Sequence, residues 1–367
     1  MHPRRLIFLT VLAIGVVAAA PVSAANINSQ NSYTVHSLQS DNGVDGSTVD
    51  TSLVNGWGIA ALPTSPWWVA DNGTDKSTLY TGAGAKVPIT VSVPGGPTGI
   101  VANAAGTGFV VSGGGVSGPS RFIFATEAGE IRGWNPAVPT GPTPPSMVTE
   151  VGSPADGAIY KGLAIGTSGG QQYLYAANFH GAEVEVYDST FAEVHWDGAF
   201  EDPGIPAGFA PFGIQNLNGM IFVTYAKQDA DAEDEIGGEG LGYVSAFGTD
   251  GSFMGRVASR GALNAPWGLA WAPATDGQGH PGFGKFSGDL LVGNFGDGRI
   301  NAFAWTSGGW EARGHLKTSN HHPLVIDGLW GIGFGNGSGS GATTTLYFAA
   351  GPDDENHGLY GSVTFNQ

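Results

Sequence analysis

The chain has no cysteine among its 367 residues, so neither disulfide staples nor thiol chemistry is open to it, and its stability must come from packing. Basic residues are few, 14 Lys and Arg against 31 Asp and Glu. A surface of that sign repels phosphate backbones and anionic lipid, which argues against nucleic acid as a partner. Beyond the first 25 residues no apolar run is long enough to span a bilayer, and no segment sustains apolar residues at i, i+3, i+4 and i+7. Without a helical period the chain reads as all-β. There is also no phosphate loop, dinucleotide fingerprint or zinc-protease helix.

What is present begins with a leader. Arg4 and Arg5 precede an apolar run from Leu6 to Ala20, and small residues surround Ala24. This order of charge, apolar run and small-residue exit predicts a signal peptide over residues 1–24, a mature domain over 25–367, and a secreted or periplasmic protein. The apolar run is shorter than the ~20 residues of a spanning helix. Losing Arg4 and Arg5 leaves 12 of the 14 basic residues against 31 acidic ones, a formal charge of −19.

The phrases NGWGIA, GGPTGIVAN, YKGLAIG, FAPFGIQ, NAPWGLAWAP and DGLWGIGFG align on Gly58, Gly99, Gly162, Gly213, Gly268 and Gly331, each followed by Ile or Leu. A second β-rich run follows each copy, such as WWVAD from Trp67 or DLLVGN from Asp289, then a turn and a third alternating run such as AEVEVYD from Ala182. The 62 glycines fall mostly at the junctions of these runs and show no triplet period, which excludes collagen and implies many turns. Spacings of 41, 63, 51, 55 and 63 residues between the aligned glycines each hold one four-stranded sheet with loops. One such sheet cannot bury both faces, whereas a closed ring of six covers them all, so the expected fold is a six-bladed β-propeller of four-stranded blades. The last copy ends on its third strand, GLYGSVTF, and YTVHSL at 33–38 is an unassigned strand. That N-terminal strand is expected to complete the last blade and close the ring.

In a propeller the glycine column lies on the innermost strands, where blades crowd closest. The residues just before it include Trp57, Lys161, Phe212, Trp267 and Trp330, which predicts an aromatic rim for a small molecule, carbohydrate or protein. Antiparallel return brings the ends of the second strands to the same rim. Asp71, Asn178, His180, Asn294, Asp353 and His357 are therefore candidate metal ligands, for calcium through oxygen or a transition metal through histidine. The competing reading is structural, with indoles wedged between blades and Asn and Asp side chains closing tight turns.

Other motifs carry less. DADAEDEIGGEG at 229–240 begins like a calcium loop, but Asp234 stands where that motif needs glycine and Gly240 where it needs glutamate, so it reads as a solvated acidic loop. GTSGG at 166–170 matches a nucleophile elbow around Ser168, yet it joins two strands of one hairpin rather than a strand to a helix. His321 and His322 read as part of a connecting loop.

Taken together, NGWGIA with WWVADNG at 55–73, FIFATEAGEIRGWNP at 122–136, YKGLAIG with YLYAANF at 160–179, FAPFGIQNLNGMIFVTYAKQD at 209–229, PWGLAWAP with FSGDLLVGNFGDGRINAF at 266–303, and GLWGIGFGNG with LYFAAGPDDENHGLYG at 328–361 cover almost all of the mature chain. It resembles the NHL-like six-bladed propellers, and within them an uncharacterised group of exported bacterial proteins. The resemblance implies the fold but no particular reaction. Some relatives carry a C-terminal anchoring segment, and since this chain ends at Gln367, directly after the last blade, a free monomeric protein is expected. More distant six-bladed propellers include calcium-dependent lactonases and lyases that hold one metal through carboxylates and amides, a set that Asp71, Asn178, Asn294 and Asp353 could imitate. The first expectation is a binding or scaffolding module with its ligand in an axial funnel. The alternative is a metal-dependent hydrolase, lactonase or lyase at the same place.

Overall fold

The computed structural model describes residues 31–138, the backbone of 148–149, and residues 157–366. The expected signal peptide lies outside the described residues. The repeated phrases form innermost strands over Gly56–Ala60, Pro97–Ala102, Tyr160–Ser168, Phe209–Leu217, Pro266–Trp271 and Leu329–Phe334. Each pairs antiparallel with the second run of its copy, and that run with the third. The result is the expected all-β ring of six blades. No helix among the described residues is long and apolar enough to cross a membrane.

The aligned glycines join the ring. A β-carbon on Gly58 would lie 2.6 Å from the Thr98 carbonyl oxygen, and one on Gly331 would lie 2.6 Å from that of Trp57. Gly99, Gly162, Gly213 and Gly268 meet the backbone of the next blade in the same way, so the contact runs round the axis and returns to its start. Backbone on both sides of the contact leaves no side chain to move aside. Gly213→Ala, aimed at the Trp267 carbonyl, is expected to cost about 3 kcal/mol, the upper part of the usual overpacking range. Gly308→Ala, whose β-carbon would find nothing nearer than 3.7 Å, should unfold at the parental urea midpoint.

Closure follows the sequence reading. The strand Tyr33–Ser40 pairs antiparallel with Leu359–Phe365, from Tyr33 opposite Phe365 to Ser40 opposite Leu359, and becomes the fourth strand of blade six. Thr48–Val49 adds a short parallel edge beyond it. Tyr33 anchors the latch in a core with Phe283, Phe286, Leu291, Ile300, Phe348 and Val363, its hydroxyl donating to the Phe283 carbonyl at 3.0 Å.

Blade three departs from the expected four strands. Its strands are Tyr160–Ser168, Gln171–Asn178 and Glu183–Asp188, and no fourth strand follows. The chain turns back and makes one bridge, Tyr187 to Glu193, with the Val194 N–H donating to the Val186 carbonyl at 2.8 Å. It then leaves the sheet. Pro203 and Pro206 in the segment that follows lack the N–H groups a ladder needs.

Candidate functional site

The residues before the glycine column meet on the axis as a packed plug. Trp57 and Trp330 stack with ring centroids 3.7 Å apart, Phe295 stacks on the other side of Trp330 at 4.0 Å, and Trp267 stands edge-on to both indoles. Phe212 leans on Trp330 and Phe179 on Phe212. Trp57, Phe212 and Trp330 are buried and Trp267 partly so. These rings therefore close this mouth of the axis instead of walling an opening.

Above the plug runs a polar arc that crosses several blades. The Trp330 indole N–H donates to the Asn55 side-chain oxygen (3.1 Å), the Asn55 amide to that of Asn72 (3.2 Å), and the Asn72 amide to Glu127 (2.8 Å). Lys161 continues it, its ammonium 2.6 Å from Glu127, 3.0 Å from Asp234 and 5.3 Å above the Trp57 ring. The Lys161 carbonyl accepts the Trp267 indole N–H at 2.8 Å. Lys161 is only 2% exposed. Burial alone would lower its pKa, but Glu127, ahead of Asp234 and Glu235, holds it above the ordinary value.

Two further carboxyls complete the mouth. Glu235 is fixed by a two-residue strand, Glu235–Ile236, that the acidic loop adds to the end of Met220–Gln228. Burial pushes its carboxyl up to about 8, Lys161 opposing and Glu355 and Asp234 adding. Glu355 ends a turn in which Asp353, Asp354 and Glu355 all have positive φ (58°, 50° and 64°), a left-handed run rare outside glycine and found where surroundings over-determine the backbone. Burial raises the Glu355 carboxyl, the Asn55 amide opposing. Thus most of the acidic loop is exposed, as expected, but Asp234 and Glu235 reach in to Lys161.

The candidate metal ligands are dispersed. Asp71 is fully buried, bonded to the Thr78 hydroxyl at 3.2 Å and raised by burial. Asn178 accepts from the Gly181 N–H and donates to Glu185, and Asn294 donates to the Ala262 carbonyl and Asp297, so both close their own turns. The ring of His180 lies 3.3 Å from the Ala232 carbonyl. His357 and Asp353 are neighbours, but His357 is bound to Asp41 at 2.8 Å, which raises its pKa. Among the described residues no three His, Asp or Glu side chains are arranged to hold a metal ion.

The residues missed by the sequence reading sit one place along. Asp71, Thr126, Asn178 and Asn294 end their second strands opposite the innermost strand. The next residues, Asn72, Glu127, Phe179 and Phe295, reach over the axis. A one-residue shift in the repeat alignment is the signal that would have found them.

At the opposite end the axis is open. A cavity of about 470 Å³ is lined by the far parts of all six innermost strands, from Ile59, Ile100, Ile165, Gln215, Leu269 and Ile332 out to Trp271 and Phe334. A narrow continuation, lined by Gly58, Gly99, Gly331, Leu163 and Trp267 among others, leads inward along the glycine column. The side chains of the wall are apolar apart from Gln215, Asn216 and Asn218, and the Asn216 amide is spent on the Ile165 carbonyl.

No family model matches this sequence. It is 34% identical over 349 residues to an uncharacterized protein of Acanthamoeba polyphaga mimivirus, covering 91% of this chain and 86% of that one. A second uncharacterized protein of the same virus is 32% identical over 329 residues, 87% and 76% of the two chains. The chain belongs to their family. Among solved structures, the soluble aldose sugar dehydrogenase of Escherichia coli in its apo-form aligns with a TM-score of 0.51 over 91% of this chain and 99% of that one, at 13% identity. The likeness at that identity is one of fold.

Proposed function

We propose that this protein is an exported binding module that holds a small, largely apolar molecule on the propeller axis. The carrying observation is the open funnel, whose volume lies within the usual ~300–1,000 Å³ of small-molecule pockets and whose walls come from all six blades. Gln215 and Asn218 supply uncommitted side-chain amides, which would fix the ligand's orientation. The leader-like residues 1–24 support export, with residues 25–367 working as one domain. Gln215→Trp fills the funnel from a position outside the apolar cores. A calorimetric screen of small aromatic and alicyclic compounds should find ligands that bind this variant at least tenfold more weakly, with its melting temperature unchanged. Equal binding by parent and variant would remove the funnel as the site.

A second reading is acid–base chemistry at the plugged mouth, favoured by Glu235, a carboxyl that keeps its proton at neutral pH beside the charged Lys161. The same shift makes a prediction about stability. Between about 4.5, where Glu235 ionises in the unfolded chain, and about 8, the folded protein holds a proton that the unfolded chain has lost, so stability falls as pH rises through this window. Glu235→Gln should flatten that part of the profile, read as urea midpoints at pH 5 and pH 8. A variant that keeps the parental slope would mean that Glu235 ionises normally.

A further inference from the structure

The funnel does not end at its rim on blade five. Trp271, which lines it, stands 6.1 Å from Trp310 between ring centroids, and Trp310 stands 5.3 Å from Trp305. The three rings come from three strands of one blade, Pro266–Trp271, Ile300–Thr306 and Gly309–His315, with Trp305 and Trp310 directly opposite each other across the last hairpin. Exposure rises along the row. Trp271 and Trp310 are partly buried, whereas Trp305 is 64% exposed, the one exposed indole among the ten tryptophans. A single exposed ring is ordinary, but a contiguous aromatic track leading out of a cavity marks a binding surface.

The polar groups along the track say what it fits. The indole N–H groups of Trp271, Trp310 and Trp305 have no hydrogen-bond partner in the protein, and unlike those of Trp57 and Trp134 they are not sealed in the interior. At the junction of funnel and track lies the exposed Asn218 side chain, whose amide is also unbonded. Its neighbours Leu217 and Met220 pack in the same cluster as Trp271 and Trp310. The hairpin turn holds Asn218 in place, with φ of 56° and 81° at Asn218 and Gly219 and the Gly219 N–H donating to the Asn216 side-chain oxygen at 3.1 Å. No charged side chain lines the funnel. Thr306 and Glu311, the sequence neighbours of Trp305 and Trp310, bond each other at 3.0 Å, and strand alternation puts them on the other face of the hairpin.

Free N–H donors beside flat apolar faces call for an uncharged, oxygen-rich ring that can both stack and accept, which is the chemistry of a sugar. A cation would suit the ring faces, but it offers no acceptor to the N–H groups and meets no carboxylate in the funnel lining. An anion meets a chain with 31 acidic against 14 basic residues and no cation in that lining. The funnel itself asks for hydrocarbon. We propose that the axial ligand is a glycoside of an apolar alcohol, its apolar group filling the funnel and its sugar lying over Trp310 and Trp305 with oxygens on the indole N–H groups and on Asn218. This rests on the funnel being the binding site, and it adds the class of molecule and a second contact surface.

The test is calorimetry of the mature chain with hexyl β-glucoside, kept below its micelle-forming concentration, and with hexanol, methyl β-glucoside, hexyl sulfate and hexyltrimethylammonium for comparison. Hexyl glucoside should bind at least tenfold more tightly than any of the others. Trp305→Ala, changed at an exposed position, should melt with the parent, bind hexyl glucoside at least fivefold more weakly and keep the parental affinity for hexanol, whereas Gln215→Trp should lose both. A glucoside that binds no better than hexanol, or equally well to Trp305→Ala, overturns the proposal and leaves the funnel reading standing. Preference for the ammonium compound also overturns it, because the track then serves a cation. Binding of hexyl glucoside that survives Gln215→Trp overturns both readings, since the alkyl group is then outside the funnel.

Discussion

A chain lacking residues 33–40 is expected to aggregate on refolding, or to melt many degrees below the parent. The deletion removes the whole latch ladder from Tyr33–Phe365 to Ser40–Leu359 and exposes the edge of Leu359–Phe365 to other chains. It also uncovers a core in which Tyr33 touches Phe283, Phe286 and Phe365. Losing one buried aromatic side chain alone costs about 3–5 kcal/mol, a large part of the ~5–15 kcal/mol that holds a folded domain together. Tyr33→Ala keeps the backbone pairing and isolates this packing component. Scanning calorimetry should place it between the parent and the deletion; a deletion that melts with the parent would show that the ring closes without its latch.

The second large effect is expected at Lys161. Lys161→Met retains most of the buried stem but leaves Glu127 and Asp234 facing each other without a cation. Breaking a buried pair by removing one partner costs about 3–5 kcal/mol, because a charge is left without compensation. The Glu127 side chain is 33% exposed and that of Asp234 is 73% exposed, so water relieves Asp234 and most of the loss falls on Glu127. Lys161→Met with Glu127→Gln should therefore regain a substantial part of the stability lost by the single variant. If Lys161→Met alone unfolds at the parental denaturant midpoint, the ammonium contributes little and the arc is held by its amides.

The architecture could be read from the sequence because each of its determinants recurs. Only glycine fits where a β-carbon on Gly58 would strike the Thr98 carbonyl and one on Gly331 that of Trp57, and this demand marks every blade at the same place. The latch could be inferred from a missing strand at one end and a surplus strand at the other. The mouth of the axis was less legible because side chains on a strand alternate in direction. Asp71, Asn178 and Asn294 look like ligands by residue type, yet they turn back to bond their own blades, while Asn72 and Glu127 cover the axis. Glu355 gave no local sign at all, because three consecutive left-handed residues in Asp353–Glu355 follow no glycine or asparagine pattern. The funnel was expected at the tryptophan end, where bulky rings at adjacent blades fill the space. It lies at the other end, where the corresponding side chains are Ile, Leu and Gln. Blade three was misread for a different reason: its third strand is regular, and the break comes only at the prolines that follow.

The latch also sets the timetable of folding. Its two strands are paired across 332 positions of sequence, as the Thr34–Asn366 contact shows, so the first strand to leave the ribosome waits for the last. Five blades can form from neighbouring segments while synthesis continues, but the sixth cannot finish until residue 365 is available. Until then the strand Tyr33–Ser40 has its contacts with Thr48, Val49 and Gly84 but not its ladder with Leu359–Phe365, and the growing arc keeps two raw ends. Such long-range closure is slow, and its open intermediates are the species most exposed to aggregation. A folding helper that shields Tyr33–Ser40 would act on this protein during the interval before Leu359–Phe365 is available to pair with it.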